Sequence, residues 1–359
     1  MTSTGEEATP ALLPVQELAA GHHAGAVPTR YVARAHNPDA ATVGAPVPVV
    51  DLGRLCGGGG DEAAAADEAA KLRLALETWG LFLVANHGVE ASLMDAMMDA
   101  LREFFRQPPE EKRKYSNLVD GKHFQLEGYG NDRVVSEEQV LDWNDRLYLK
   151  VEPQDERNLA LWPAYPQSFR NVLHEFTAGC TRVKEHLLLA MAKLLELDDD
   201  YFSNKLGDKA DTHARFNYYP PCPRPELVFG LKPHSDGTFI TILMLDDNVG
   251  GLQVLRDGVW HDVPINPHTL LINIGDQMEI MSNGIFKSPV HRVVTNAEKE
   301  RLSVVLFYSV DPERDIEPAT ELVNDKRPAL YKKVKTKDYL AGLFEYFQKG
   351  KRVIDTVKI

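Results

Sequence analysis

His234, Ser235 and Asp236 are followed by His291 and then by Arg301, Leu302 and Ser303. Two imidazoles and one carboxylate make the ligand set of an open-sided ferrous site, which leaves coordination positions free for other molecules. In extended chain successive side chains point to opposite faces, so His234 and Asp236 project to one side while Ser235 points away. The third ligand must come from a strand folded back beside them. His291 lies in Ser288-Pro-Val-His-Arg-Val-Val-Thr295, a β-rich run bounded by turn residues. Zinc accepts the same three groups, so ligand chemistry alone leaves it as the competing metal. Arg301 tilts the reading toward iron. In Arg301-Leu-Ser-Val-Val-Leu-Phe307 the residues Arg301, Ser303, Val305 and Phe307 share a face. A guanidinium in mostly apolar surroundings is costly unless a carboxylate meets it in bidentate fashion. That face, with the Ser303 hydroxyl beside Arg301, suits the distal carboxylate of a dicarboxylate co-substrate such as 2-oxoglutarate. The run His213-Ala-Arg-Phe-Asn-Tyr-Tyr219 alternates in the same manner and places Asn217 and Tyr219 together as polar groups able to complete that site. Pro220, Pro221 and Pro223 end its ladder.

The bland reading of each residue has to be weighed. A lone histidine is more often a satisfied structural or surface group than a ligand, and most of the twelve here read so. His234, Asp236 and His291 are set apart by the agreement of spacing, arginine and strand context. Arg301 alone could pair with nearby acids, Asn217 and Tyr219 could be purely structural, and an inward aromatic such as Phe307 is usually core.

These groups need elements to hold them. From about residue 213 the chain breaks into short strands with turns: 238–245, 252–256, 259–263 and 270–274, with a two-residue hairpin at Asp257-Gly258 and another turn at Asn283-Gly284. Regularly spaced antiparallel strands of this kind predict a two-sheet jelly roll. Upstream, Val47–Asp51 and Gly80–Ala85 read as strands with an Ala-rich helix between them. Leu93, Met97, Leu101 and Phe104 recur at helical spacing, and so does the stripe from Phe169 through Phe176, Cys180, Val183, Leu187 and Met191 to Leu194. Such stripes are core faces, the second bracing one outer face of the barrel. Residues 335–347 read as a C-terminal helix. The expectation is a mainly β fold with flanking helices: a jelly-roll core at 206–315, an N-terminal α/β part at 46–205, a C-terminal helix and tail at 316–359, and a flexible segment over 1–45. Gly57–Gly60 reads as a flexible loop, because the lysine of a phosphate cradle is missing.

Composition narrows the partners. A formal net charge of −13 over 359 residues disfavours phosphate backbones and anionic membranes, and 43% hydrophobic content is ample for a core. The three cysteines, Cys56, Cys180 and Cys222, have no pairable spacing, which argues for free thiols in a reducing compartment. The acidic N-terminus and the lack of a membrane-length apolar run predict a cytoplasmic protein, compatible with a nuclear pool. A monomer acting on a small molecule, without nucleic acid or membrane partners, is expected.

Set in order, Asn217-Tyr-Tyr-Pro-Pro-Cys-Pro-Arg-Pro225, His234-Ser-Asp-Gly-Thr238, Gly251-Leu-Gln-Val254, Asn273-Ile-Gly-Asp276, Ser282-Asn-Gly284, His291-Arg-Val-Val294 and Arg301-Leu-Ser303 resemble the plant 2-oxoglutarate- and Fe(II)-dependent dioxygenases. The resemblance spans about residues 45 to 345. Through Asp120-Gly-Lys122, Glu127-Gly-Tyr-Gly130, Asp142-Trp-Asn-Asp145 and Asn296-Ala-Glu-Lys-Glu-Arg301 the chain looks most like the subgroup of triketone-herbicide-oxidising, HPPD-inhibitor-sensitive proteins. The resemblance implies that the jelly-roll core is a double-stranded β-helix, that His234, Asp236 and His291 hold iron and that Arg301 with Ser303 clamps 2-oxoglutarate. It also implies accessory co-substrate contacts from Asn217 and Tyr219, a pocket aromatic near the iron at Phe307, and a C-terminal helix leaning over the mouth.

The expected reaction couples oxidative decarboxylation of 2-oxoglutarate by O2, giving succinate and carbon dioxide, to hydroxylation or other oxidation of a small metabolite, hormone or xenobiotic such as a triketone. Ascorbate is the expected reductant. Two alternatives stay open at this point: an iron oxidase on the same scaffold that does not use 2-oxoglutarate, and a non-catalytic small-molecule receptor.

Overall fold

The computed structural model describes residues 12–21, 26–33, 42–44, 46–57, 60–348 and 351–359, without the side chains of 344, 345, 347 and 348. Among these, most of the strands gather into two large sheets. The larger runs Val49–Asp51, Leu81–Ala85, Leu270–Ile274, Ile240–Leu245, Arg301–Tyr308, Thr212–Tyr219, Asp145–Glu152 and Gly128–Gly130. The smaller runs Val43–Gly44, Val259–Asp262, Leu252–Arg256, His291–Val294 and Phe229–His234. Within each sheet only the pairings made by Val43–Gly44 and Val49–Asp51 are parallel. This is the mainly β jelly-roll architecture with flanking helices that the strand spacing predicts.

Burial on both faces explains the composition of the central strands. Ile240–Leu245, Leu270–Ile274 and Arg301–Tyr308 are largely apolar and buried at nearly every position because the larger sheet is covered on both sides. Leu243, Leu271 and Val305 pack with Leu252, Val254 and Val293 of the smaller sheet. Ile242, Ile272 and Val304, one residue along the pleat, belong to a separate core shared with the helices. Leu101 and Phe104 of the helix Ala91–Phe105, and Phe176, Cys180, Val183, Leu187 and Met191 of the helix Phe169–Leu194, supply its other side. Both helical stripes therefore do what their spacing predicts. Asp257 and Gly258 take φ of 51° and 77° and join the strands Leu252–Arg256 and Val259–Asp262, as the hairpin signal requires.

Two segments differ from the sequence expectation. A unit at 206–315 omits five strands of the two sheets, and the largest omission is Asp145–Glu152, which pairs with Thr212–Tyr219 along nearly its whole length. Its apolar residues Leu147, Leu149 and Val151 alternate with Arg146, Tyr148 and Lys150, a strand signal that the sequence carries and that the reading above did not use. Within the supposedly flexible 1–45, residues 1–11, 22–25, 34–41 and 45 lie outside the described residues, with His22, His23 and His36. The rest is fixed: in the helix Val15–Gly21 the backbone N–H groups of Val15 and Gln16 donate to the two carboxylate oxygens of Asp145 at 2.7 and 2.8 Å. Val15 and Tyr31 join Leu141, Trp143, Cys222 and Val228 in a small apolar cluster. A helix of seven residues anchored by a distant carboxylate leaves no periodic trace. The C-terminal tail is packed as well, with Val353 and Ile354 buried in a 3-10 turn. Gly58 and Gly59 of the tetraglycine lie outside the described residues.

The helix Thr336–Gln348 covers the segment that follows His234 and Asp236. A Cβ on Gly237 would come within 2.7 Å of the Leu343 side chain, which would have to shift to admit it. No helix among the described residues is long and apolar enough to cross a membrane.

Candidate active site

His234 ends one strand of the smaller sheet and His291 begins its neighbour, and the two are direct cross-strand partners. Their rings lie 4.2 Å apart, centroid to centroid. Asp236 Oδ1 stands 3.8 Å from His234 Nε2 and 3.7 Å from His291 Nε2. The three candidate ligand atoms all fall within 4.8 Å of one another. Each imidazole has its Nδ1 against a backbone carbonyl, Lys232 O at 2.8 Å and Pro289 O at 3.2 Å. A carbonyl only accepts, so Nδ1 carries the proton and the Nε2 lone pair faces Asp236. Burial, and then the neighbouring His291, push the His234 imidazole down to about 3, which keeps it in the neutral form that can ligate.

The outer contacts of this cluster were not singled out from sequence as site residues. Asn273 Nδ2 donates to Asp236 Oδ2 at 3.3 Å. Ser235 Oγ accepts from Arg352 Nε at 3.1 Å and donates to Asp276 Oδ2 at 3.3 Å, and Tyr339 Oη donates to the same oxygen at 2.8 Å. Asn273 and Asp276 sit in the Asn273-Ile-Gly-Asp276 segment, a signal already visible. Arg352 and Tyr339 carry no motif.

The larger sheet supplies the other end of the cavity. Arg301 pairs with Tyr219, Ser303 with Asn217 and Val305 with Arg215 across adjacent strands, so alternate residues form successive rows on one inward face. Arg301 is 3% exposed, its guanidinium lies 5.2 Å from the Tyr219 ring centroid, and its Nε and Nη1 have no hydrogen-bond partner. Buried donors left without acceptors are rare, because each costs about 1–3 kcal/mol. A carboxylate is the group they fit. Ser303 Oγ accepts from Asn217 Nδ2 at 3.1 Å, and Asn217 Oδ1 accepts from Asn144 Nδ2 at 3.2 Å and Arg215 Nε at 2.7 Å. Asn217 is thus committed within the wall and orients Ser303.

All eight residues singled out from sequence line one cavity. Phe307 is the outermost of them on its strand, stacked on Tyr148 at 6.3 Å. The remaining wall brings together Leu126, Leu141 and Tyr148 from the 120–150 region, Leu343 from the C-terminal helix, and Leu12 and Tyr31 from the N-terminal segment. The last two were missed because that segment reads as loose chain.

Residues 210–310 match the 2OG-Fe(II) oxygenase superfamily, and residues 47–165 match the N-terminal region described as non-haem dioxygenase in morphine synthesis. The chain is 37% identical to Protein SRG1 of Arabidopsis thaliana over 96% of both chains. It is 39% identical to an oxoglutarate-dependent flavonoid 7-O-demethylase of Ocimum basilicum, over 96% of this chain and 90% of that one. Among solved structures, JOX2 in complex with 2OG, Fe and JA superposes with a TM-score of 0.84 at 35% identity, covering 94% of each chain. A donor set fit for iron and a guanidinium fit for a carboxylate, in one cavity, agree with these relatives: the chain belongs to the 2OG-Fe(II) oxygenase superfamily and is a 2-oxoglutarate-dependent dioxygenase.

Proposed function

We propose that this enzyme hydroxylates, or otherwise oxidises at carbon, a small organic molecule of the hormone, specialised-metabolite or xenobiotic kind. In this reading His234, Asp236 and His291 hold Fe(II), Arg301 and Ser303 hold the far carboxylate of 2-oxoglutarate, and Asn217 and Tyr219 shape that end. The carrying observation is the pair of partnerless nitrogens on Arg301, buried in the same cavity as the histidine–aspartate cluster. Bound iron and 2-oxoglutarate supply oxygen activation, with succinate and carbon dioxide as co-products and ascorbate as the supporting reductant.

The chain's own part is to bind, orient and keep out water. The backbone carbonyls of Lys232 and Pro289 fix the ring orientations of both histidines, and Asn273 fixes Asp236. Phe307, Tyr148 and Leu343 give the substrate end an apolar wall that favours a ring-bearing molecule over a polymer. Relatives named for flavonoid demethylation and a structural neighbour holding JA support a compound of that size. The segments Asp120–Lys122 and Asp142–Asp145 support a triketone among the accepted compounds.

The test is anaerobic reconstitution with Fe(II) and 2-oxoglutarate, watched for the visible metal-to-ligand charge-transfer band. Air is then admitted and succinate is assayed against a panel of flavonoids, plant hormones and triketones. A band with substrate-stimulated succinate is expected. Iron bound without a band would overturn the reading.

A further inference from the structure

The cavity wall carries three more cations outside the iron and co-substrate ends, Arg133, Arg215 and Lys232, of which Arg133 is exposed to solvent. Cations lining a pocket ordinarily point to an anionic ligand, but Arg215 and Lys232, set into the wall, are each answered from within the protein. Arg215 Nη1 and Nη2 donate to Oδ1 and Oδ2 of Asp132 at 3.0 and 2.8 Å, and its Nε donates to Asn217 Oδ1 at 2.7 Å. Lys232 donates through Nζ to Asp142 Oδ2 at 2.6 Å and through its backbone N–H to Asp142 Oδ1 at 2.8 Å. The two-pronged approach by which an arginine recognises a carboxylate is therefore already taken on Arg215 by Asp132.

Asp132 is not free to move aside. Arg146, whose side chain is fully buried, donates from Nε to Asp132 Oδ1 at 2.9 Å. Withdrawing Asp132 would strand two buried guanidinium groups. Burial alone would raise the Asp132 carboxyl, but Arg215 and Arg146 hold it well below the usual carboxylate range, so it is an anion at neutral pH. The contrast lies within one face of the sheet. Arg301 has open donors at one end, whereas two rows away Arg215 is closed by a built-in carboxylate. The neighbouring wall residues Leu126, Leu141, Tyr148 and Phe307 offer apolar contact.

Resting on the dioxygenase reading above, we propose that Asp132 is a specificity-determining residue: it occupies the place on Arg215 where a substrate carboxylate would dock, and so selects against carboxylic acids in favour of their uncharged counterparts. A carboxylic acid entering this end meets Asp132 already seated on Arg215, and like charges this close in a partly buried site oppose binding. A neutral hydroxyl or carbonyl group loses nothing there.

The test uses the full-length enzyme with Fe(II) and 2-oxoglutarate, held anaerobic, and matched pairs of a carboxylic acid and its methyl ester. The pairs are phenylacetic, cinnamic and indole-3-acetic acids with their esters, plus acid and neutral forms of any compound that stimulates succinate formation in air. Binding is read by calorimetry, and the charge-transfer band is followed separately, so a missing band counts against the dioxygenase reading and not against Asp132. The wild-type enzyme is expected to bind each neutral form at least tenfold tighter than its acid. Asp132→Asn is expected to gain at least tenfold for the acids, and Arg215→Met added to it removes that gain. A wild-type enzyme that binds the acids tighter than their neutral forms would overturn the proposal, with no variant needed. So would a folded Asp132→Asn protein with unchanged acid affinity.

Discussion

A buried guanidinium with two partnerless nitrogens is a cost that the protein carries when it is empty. Arg301 stands so placed; burial lowers its pKa from the usual arginine value, and Tyr219 and Asp246 nearby partly counter that by favouring the charged form. Replacing it by methionine removes unsatisfied donors as well as a charge. The Arg301→Met protein is therefore expected to be as stable as the wild type in urea, or more stable by about 1–3 kcal/mol. Its 2-oxoglutarate affinity should fall by at least about 30-fold, the loss of roughly 2 kcal/mol from a charge-assisted pair, while Fe(II) affinity changes little. Marked destabilisation with unchanged 2-oxoglutarate binding would show that Arg301 is a structural residue. Asn273 makes the complementary case, since it touches Asp236 and not the co-substrate end. Asn273→Ala should weaken Fe(II) binding by about tenfold, as loss of an outer contact to a metal ligand commonly does, measured by competition with a chromophoric chelator. An equal loss of both affinities would point to general loosening of the strand instead.

Elements differ in how openly the sequence announces them. The strands from Thr212 to Tyr308 and the helix Phe169–Leu194 were legible because their periodicity is local: alternate residues face alternate cores, and every third or fourth residue lines one helix face. The iron-side triad was legible for the same reason, two ligands on one extended segment and a third in a run that had to be a strand. What stayed hidden depends on partners far away in the chain. Asp145 is such a case: read alone it is one acid among many, yet it is fully buried and anchors the start of the helix Val15–Gly21. Burial raises its carboxyl to about 6, against the two backbone N–H bonds and Lys112, which lower it. A carboxyl raised on folding contributes stability that is fully present below its unfolded value near 3.8 and is lost as pH climbs through about 6. In Asp145→Asn that titration is gone. The stability of the wild type relative to Asp145→Asn, measured by urea unfolding, should therefore decline between pH 4 and pH 6 and level off above. A difference that does not change over this range would mean that Asp145 is not buried as described, or that the N-terminal helix is detached in solution.

At the scale of the whole molecule the cavity lies between two sheets that contribute different halves of the chemistry. His234 and His291 belong to the smaller sheet, with Asp236 just beyond it, whereas Arg301, Ser303, Asn217 and Tyr219 belong to the larger. A co-substrate that reaches from the metal to Arg301 would join the sheets, while metal alone grips only the smaller one. The two ligands should then stabilise the fold unequally. Fe(II) without 2-oxoglutarate is expected to protect amides chiefly in Phe229–His234 and His291–Val294 against hydrogen exchange. Adding 2-oxoglutarate at about 100 times its Kd should contribute about 2.7 kcal/mol more, a rise of a few degrees in Tm, and extend protection into Arg301–Tyr308 and Thr212–Tyr219. In Arg301→Met the second increment should shrink to about 0.9 kcal/mol or less while the first persists. Protection of the larger sheet by metal alone, or an undiminished second increment in Arg301→Met, would mean that the co-substrate is held within one sheet and that the far carboxylate rests on another group.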